Sequence, residues 1–210
     1  MNRKAVILSA ALLLAGCATA RLPQGPDIYS FSVKPGAPSV VVARVIDERA
    51  DKKRLGSIGA TQYSMNSDPV ELVGKEAVAA LYGQGLNGKM GRVAADQPAT
   101  FAGEAQRENA QGVLALHLKS LSLESFDAVM DPPTVKATLS AKLYDSQGNL
   151  LDTAEVTGLV QRRIGIFSLE KETGQLVGEA IHDAAQRLMG TGALGGALTK
   201  LSANTTKENQ

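Results

Sequence analysis

One cysteine, two histidines and no tryptophan occur in a chain of 210 residues. With Cys17 as its single thiol, the chain cannot form an internal disulfide. Two histidines leave little for an imidazole-based cage, so no metal site is expected. Aromatic residues are only 4% of the total, which poorly supplies a stacking platform for bases or sugars. Charge of one sign is also missing. Lys and Arg number 22 against 21 Asp and Glu, a formal net charge of +1. That balance argues against a nucleic-acid partner bound through net basicity. What the chain does have is an ordinary 44% of hydrophobic residues, too many for disorder and enough for one folded domain.

The N-terminus has a legible layout. Asn2-Arg3-Lys4 is basic, Ala5 to Ala15 is apolar, and small residues follow. A helix over that apolar run would rise about 16 Å, roughly half the hydrocarbon thickness of a bilayer. Basic, then apolar, then small is the order of a secretory signal. The run closes on Leu14-Ala15-Gly16-Cys17, which resembles the lipobox of bacterial lipoproteins. The resemblance implies a signal peptide over residues 1–16 and cleavage between Gly16 and Cys17. It also implies a diacylglycerol on the Cys17 sulfur and an acyl chain on the new amino group, with no other cofactor. Several acyl chains, at about 0.8 kcal/mol per buried methylene, hold a protein on a bilayer where one chain would not. The alternative is a plain signal cleaved at Ala18-Thr19-Ala20. Ala18 rather than Asp follows the cysteine, so the resemblance implies the periplasmic face of the outer membrane. Loss of Arg3 and Lys4 leaves 20 basic residues against 21 acidic ones, a net charge of −1.

Residues 17–39 carry Pro23, Pro26, Pro35 and Pro38, and their composition reads as an extended tether. Tyr29 to Val33 alternates and would suit a short edge strand. The β-branched run Val40 to Ile46 predicts a buried strand, and Asp51 to Ser57 a polar loop. Ala60 to Met65 suits another strand. Asp68-Pro69 opens a helix as N-cap and first residue, and Val70, Val73, Ala77, Ala80 and Leu81 recur at helical spacing. Lys89 to Ala94 is a weak strand, and Ala99 to Asn109 a short helix. Val113 to Glu124 alternates, with its apolar register moving between Leu118 and Leu121, which predicts a bulge near Ser120. Val135 to Tyr144 and Leu150 to Val160 complete a meander around the Asp145–Asn149 turn. Glu170 to Met189 is the strongest helix, with a stripe from Leu176 to Leu188. Residues 191–210 are Gly/Ala-rich, then polar, and predict a flexible tail. The implied fold is α+β. It is a two-layer α/β sandwich over residues 40–190, a mixed and mostly antiparallel sheet with amphipathic helices on one face.

Several features then coincide. The lipobox precedes a strand ending in Asp47-Glu48-Arg49, followed by Lys53-Arg54-Leu55-Gly56. Next come a Val70–Leu81 helix, Val113-Leu-Ala-Leu-His-Leu118, the Leu143–Leu150 hairpin and a closing helix. This layout resembles the YajG-like outer-membrane lipoproteins. It is also similar to the PqiC-type auxiliary lipoproteins of envelope lipid transporters. The first resemblance implies a noncatalytic, periplasm-facing lipoprotein that binds an envelope protein. The second implies an auxiliary subunit of a lipid ABC transporter, with an apolar groove between sheet and helices.

Candidate sites for chemistry are sparse. Asp47, Glu48 and Arg49 at a strand end would make a polar partner-binding site, or a solvated pair contributing little. Arg162-Arg163 would suit an acidic headgroup or partner, or be a basic strand end in water. The exposed meander face and the loop from Asp47 to Thr61 are the expected contact surfaces, with strand addition as a mode. His117 and His182 lack a second ligand at metal spacing. No Gly-x-Ser-x-Gly elbow is present, and Gly83-Gln-Gly85 and Gly56/Gly59 are too sparse for a phosphate cradle. The chain therefore reads as no enzyme.

Overall fold

The computed structural model describes residues 17–125, 131–164, 169–190 and 194–208; the expected signal peptide, Gly16 included, lies outside them. Chain order is β1 (Cys17–Ala20), β2 (Ser39–Arg44), β3 (Ile46–Asp47), β4 (Arg54–Ile58), β5 (Thr61–Met65) and α1 (Pro69–Gly83). Then follow β6 (Asn87–Ala94), α2 (Phe101–Glu108), β7 (Gly112–Ser125), β8 (Thr134–Asp145), β9 (Leu150–Gln161), α3 (Leu169–Gly190) and α4 (Gly195–Glu208).

The alternation of Leu114, Leu116 and Leu118 with Val113, Ala115 and His117 makes β7 a long strand with two distinct faces. One edge of β7 pairs along its whole length with β8, antiparallel, and β8 pairs likewise with β9. The other edge is shared. It pairs in succession with β2, β3 and β4, all parallel. From β4 the sheet continues to β5 and then β1, and from β2 to β6. The long antiparallel meander and the short parallel pairings give the mixed sheet that the sequence implies. The expected bulge is present as a register shift against β8 between Leu118 and Ser120, and Leu121 and Leu123 return to the core face beyond it.

The main core lies under α1, α3 and α4. In α3, Leu176, Val177, Ala180, Ile181, Ala184 and Leu188 are fully buried. In α1, Asp68 accepts the Val70 amide at 3.0 Å, Pro69 takes the first turn, and Val73, Ala77, Ala80 and Leu81 are buried. The short helix α2 departs from the expectation of one covered face. Phe101 and Ala105 pack on Val41, Ala43, Val113 and Ala115, the residues that alternate with the main-core positions. A second, smaller core therefore closes the opposite face over β2 and β7, and the meander's outer face stays open.

Four local expectations change. Arg54–Ile58 is a strand, not a loop. Its polar side chains hid it, because its backbone is what pairs, filling the last stretch of the β7 edge. Gly56 there has φ +149°, and a Cβ on it would lie 1.9 Å from the Leu123 carbonyl oxygen. Around Tyr29 there is a 3-10 turn at Ile28–Ser30, capped by Asp27, and no strand adjoins it. Residues 17–39 are not an extended tether: they begin as β1 and then run over the helices. The tail expected to be flexible contains α4, because Leu194, Ala197, Leu198 and Leu201 recur at helical spacing and are buried in the main core.

Gly56→Ala should lower the midpoint of urea unfolding, since β4 would have to move off β7. Gly83→Ala, where a Cβ meets nothing within 4 Å, should leave it unchanged or raise it slightly.

Candidate functional site

Cys17 is exposed and is the first described residue of β1, which lies parallel to β5 at the end of the sheet. Burial then sets in quickly: Ala18 packs against the main core and Ala20 is fully buried. The backbone of Arg21 meets α3 so closely that a Cβ on Gly174 would lie 1.7 Å from its carbonyl oxygen. Pro23 rests on Gly178, one turn further along α3. Lys75 of α1 reaches the Gln24 carbonyl at 3.3 Å. Further on, the Phe31 ring lies 4.7 Å from that of Tyr82. Buried Asn87 accepts the Lys34 amide and donates to the Lys34 and Ala37 carbonyls. The segment from Cys17 to Ala37 is thus strapped to the domain at both ends.

Asp47 and Arg49 sit where the shared edge of β7 is interrupted. β3 ends beside Leu118, and β4 takes up the edge again beside Leu123. In the gap, Arg49 turns back on Asp47, with Nε 2.9 Å from Oδ1 and Nη2 2.7 Å from Oδ2. Nη2 also donates to the Lys52 carbonyl at 3.0 Å. Both side chains are buried, at 4% and 7% exposure for Arg49 and Asp47. The pair is therefore a clamp on the loop rather than a surface offered to a partner. Burial pushes the Asp47 carboxyl up, but hydrogen bonds and charge from Arg49 outweigh it and hold the group below the ordinary carboxylate range.

Glu48 points the other way. Its carboxylate takes a short hydrogen bond from Lys119, and its Oε1 lies 2.6 Å from His117 Nδ1. The Lys119 bond, aided by His117 and opposed by slight burial, holds Glu48 below the usual range. In the sequence, His117 has no second ligand at metal spacing and nothing marks Glu48 as its neighbour. Only the parallel β3–β7 register, with Glu48 N donating to the Leu118 carbonyl, places the three groups together.

Arg162 and Arg163 lie just past the end of β9, away from Asp47 and Arg49. Arg162 pairs with Glu179 at 2.9 Å, both side chains about half exposed, and Arg163 is exposed. Arg162 also lines an open groove of about 670 Å³ with Pro23, Glu76, Gln175, Glu179 and His182. His182 Nδ1 lies 2.8 Å from Glu76 Oε2 across that groove, joining α3 to α1. Among the described residues, no group of three His, Cys, Asp or Glu side chains could hold a metal ion, and no helix is long and apolar enough to cross a membrane.

Fold and surface together define an α+β sandwich domain with an exposed cysteine opening its terminal strand. A Xanthomonas campestris protein of the DUF330 family has a similar structure: TM-score 0.51, 13% identity, covering 90% of this chain and 99% of that one. A minor lipoprotein from Acinetobacter baumannii matches at TM-score 0.40 and 11% identity over 79% of this chain and 93% of that one. Lipoprotein GNA1162 from Neisseria meningitidis matches at TM-score 0.36 and 16% identity over 67% and 92%. At these identities the likeness to the DUF330 protein speaks for the fold alone. No protein-family model and no curated protein matches the sequence.

Arg49→Ala leaves the Asp47 carboxylate buried without its partner and should cost about 3 kcal/mol in urea unfolding. The pH dependence has a definite sign. The folded-state pKa of Asp47 is lowered from 3.8, so its stabilisation is full above about pH 4–5 and is lost as pH falls through the folded value. Thermal melts of Asp47→Asn should therefore lose less stability than the parent between pH 5 and pH 3.

Proposed function

We propose that this chain is a noncatalytic lipoprotein of the bacterial envelope, anchored through acyl chains on Cys17, that works by binding another envelope component. The observation that carries this reading is the position of Cys17. The one thiol of the chain follows a lipobox-like run and is exposed at the start of a strand. Acyl chains there would disturb no packing, since the first fully buried residue is Ala20. Ala18 after the cysteine favours the periplasmic face of the outer membrane. The YajG-like layout of elements agrees with such a role.

The perturbed carboxylates support a structural rather than a catalytic part for the charged groups. Asp47 is engaged by Arg49, and Glu48 by Lys119 and His117. Asp145 is lowered despite some burial because the amides of Gln147, Gly148 and Asn149 and the Asn149 side chain bond to it, closing the hairpin. The surface left for a partner is the open face of the meander, including Lys119, Lys142, Thr153, Glu155 and Thr157. Beside it lies the outer edge of β9, which among the described residues pairs with β8 alone. The lipid-transporter reading asks for a groove lined by Leu, Val and Phe. The 670 Å³ groove is instead lined by charged, amide, Pro and Gly residues, which gives that reading less support.

The mature N-terminal peptide should begin at Cys17 and carry the mass of a diacylglyceryl group and an acyl chain. Cys17→Ala should move from the membrane fraction to the soluble fraction. Retention of Cys17→Ala on membranes would overturn the anchor.

A further inference from the structure

We infer that the acylated protein stands end-on against its bilayer, rather than hanging from a tether. The sheet end bearing Cys17, the β4–β5 turn and the end of β9 then meets the headgroups. This rests on the reading that Cys17 is acylated.

The strand registers place that end. Cys17 pairs with Gln62, Gln62 with Ser57, Ser57 with Glu124, Glu124 with Thr134 and Thr134 with Gln161. Cys17 thus belongs to a single lateral row crossing six strands. Just beyond the row lie the exposed turn at Gly59-Ala60 and the exposed Arg162 and Arg163. The diacylglycerol would sit on the Cys17 sulfur itself and the last acyl chain on its nitrogen, so no spacer separates lipid from strand. Cys17 must then lie in the headgroup layer, roughly 5–8 Å thick on each side of the hydrocarbon. To swing free, the chain would have to peel β1 from β5 and expose Ala20. It would also have to lift Arg21 and Pro23 out of their seats on Gly174 and Gly178.

The opposite end is remote. Gly112 pairs with Asp145, twelve positions along β7 from Glu124. At ~3.3 Å per residue, the Asp145–Asn149 turn stands about 40 Å from the Cys17 row. Charge near the row is mixed, since Lys136 pairs with Glu124 and Arg162 with Glu179. The anchor geometry, not attraction to anionic lipid, sets the orientation. The open meander face then rises away from the membrane, where a partner can approach from the side.

The test uses the acylated full chain, purified from membranes and reconstituted in phosphatidylethanolamine–phosphatidylglycerol vesicles. Acylated Cys17 has no free thiol, so Ala60→Cys and Ser146→Cys each offer one labelling position, both exposed. An environment-sensitive fluorophore at position 60 should lose most of its emission to quencher-bearing lipids, and one at 146 should keep it. Equal emission at both positions, with the acyl mass intact on Cys17, would overturn the orientation while leaving the anchor standing. Absence of the acyl mass would overturn the anchor and the orientation with it. Gly174→Val, which drives Arg21 off α3, should restore emission at position 60 with acylation unchanged. Persistent quenching in that variant would overturn the role given to the β1 seat.

Discussion

The long strand β7 has one edge occupied by a single partner and the other by three. Pairing with β8 is antiparallel and runs from Gly112 to Glu124 with one shift at Leu118–Ser120. The opposite edge is filled by β2, β3 and β4, which run past it in one direction and are interrupted by the loop after Asp47. The register shift at Leu118–Ser120 falls beside that interruption. An unfilled stretch of backbone edge in the middle of a domain would leave N–H and C=O groups without partners. The Asp47–Arg49 clamp, with its bond to the Lys52 carbonyl, fixes the loop beside this place, with a cleft between the loop and Lys119 to Leu121. A buried ion pair of this kind adds little over a well-packed apolar pair, but losing one partner leaves a bare charge inside. Its role is to hold one geometry.

The second feature that organises the molecule is the strap from Cys17 to Ala37. Prolines and glycines make such a stretch look like a spacer, because they resist helix and strand. Here they do something else. Pro23 supplies a flat ring for the small groove at Gly178, and Gly174 lets the backbone of Arg21 come within contact of α3. Low propensity for regular structure is compatible with a docked path when the neighbouring helix offers small residues at one-turn spacing. Cys17 is therefore tied to the sheet through backbone pairing with β5, and an acyl chain proposed there would be held by the domain with no spacer.

The charged groups fall into separate neighbourhoods. Asp47 and Arg49 are enclosed, Glu48 faces the meander with His117 and Lys119, and Arg162 borders the groove with Glu76 and His182. Each neighbourhood has its ions paired. Such pairing suits a scaffold that offers an open sheet face and a strand edge to another molecule.

Much of the architecture was readable from residue order. The alternation in β7, β8 and β9, the Asp68-Pro69 cap, the buried stripe of α3 and the bulge near Ser120 all arise from contacts local in sequence or from a simple periodicity. The lipobox-like run ending on Cys17 was equally legible. Other features were not, and three show why. Arg54–Ile58 is polar and became a strand because β7 had an edge to fill. Residues 194–201 are short and Gly/Ala-rich and became helical because Leu194, Leu198 and Leu201 found the core. Arg49 looked like a surface cation and became buried because the loop turned it onto Asp47. Sequence by itself determined the elements whose patterns close within a few residues, together with the lipobox-like run that ends on Cys17. Which strands share an edge, which charges are enclosed and where Cys17 stands relative to the sheet were decided by tertiary structure alone, since each depends on backbone groups distant along the chain meeting in one register.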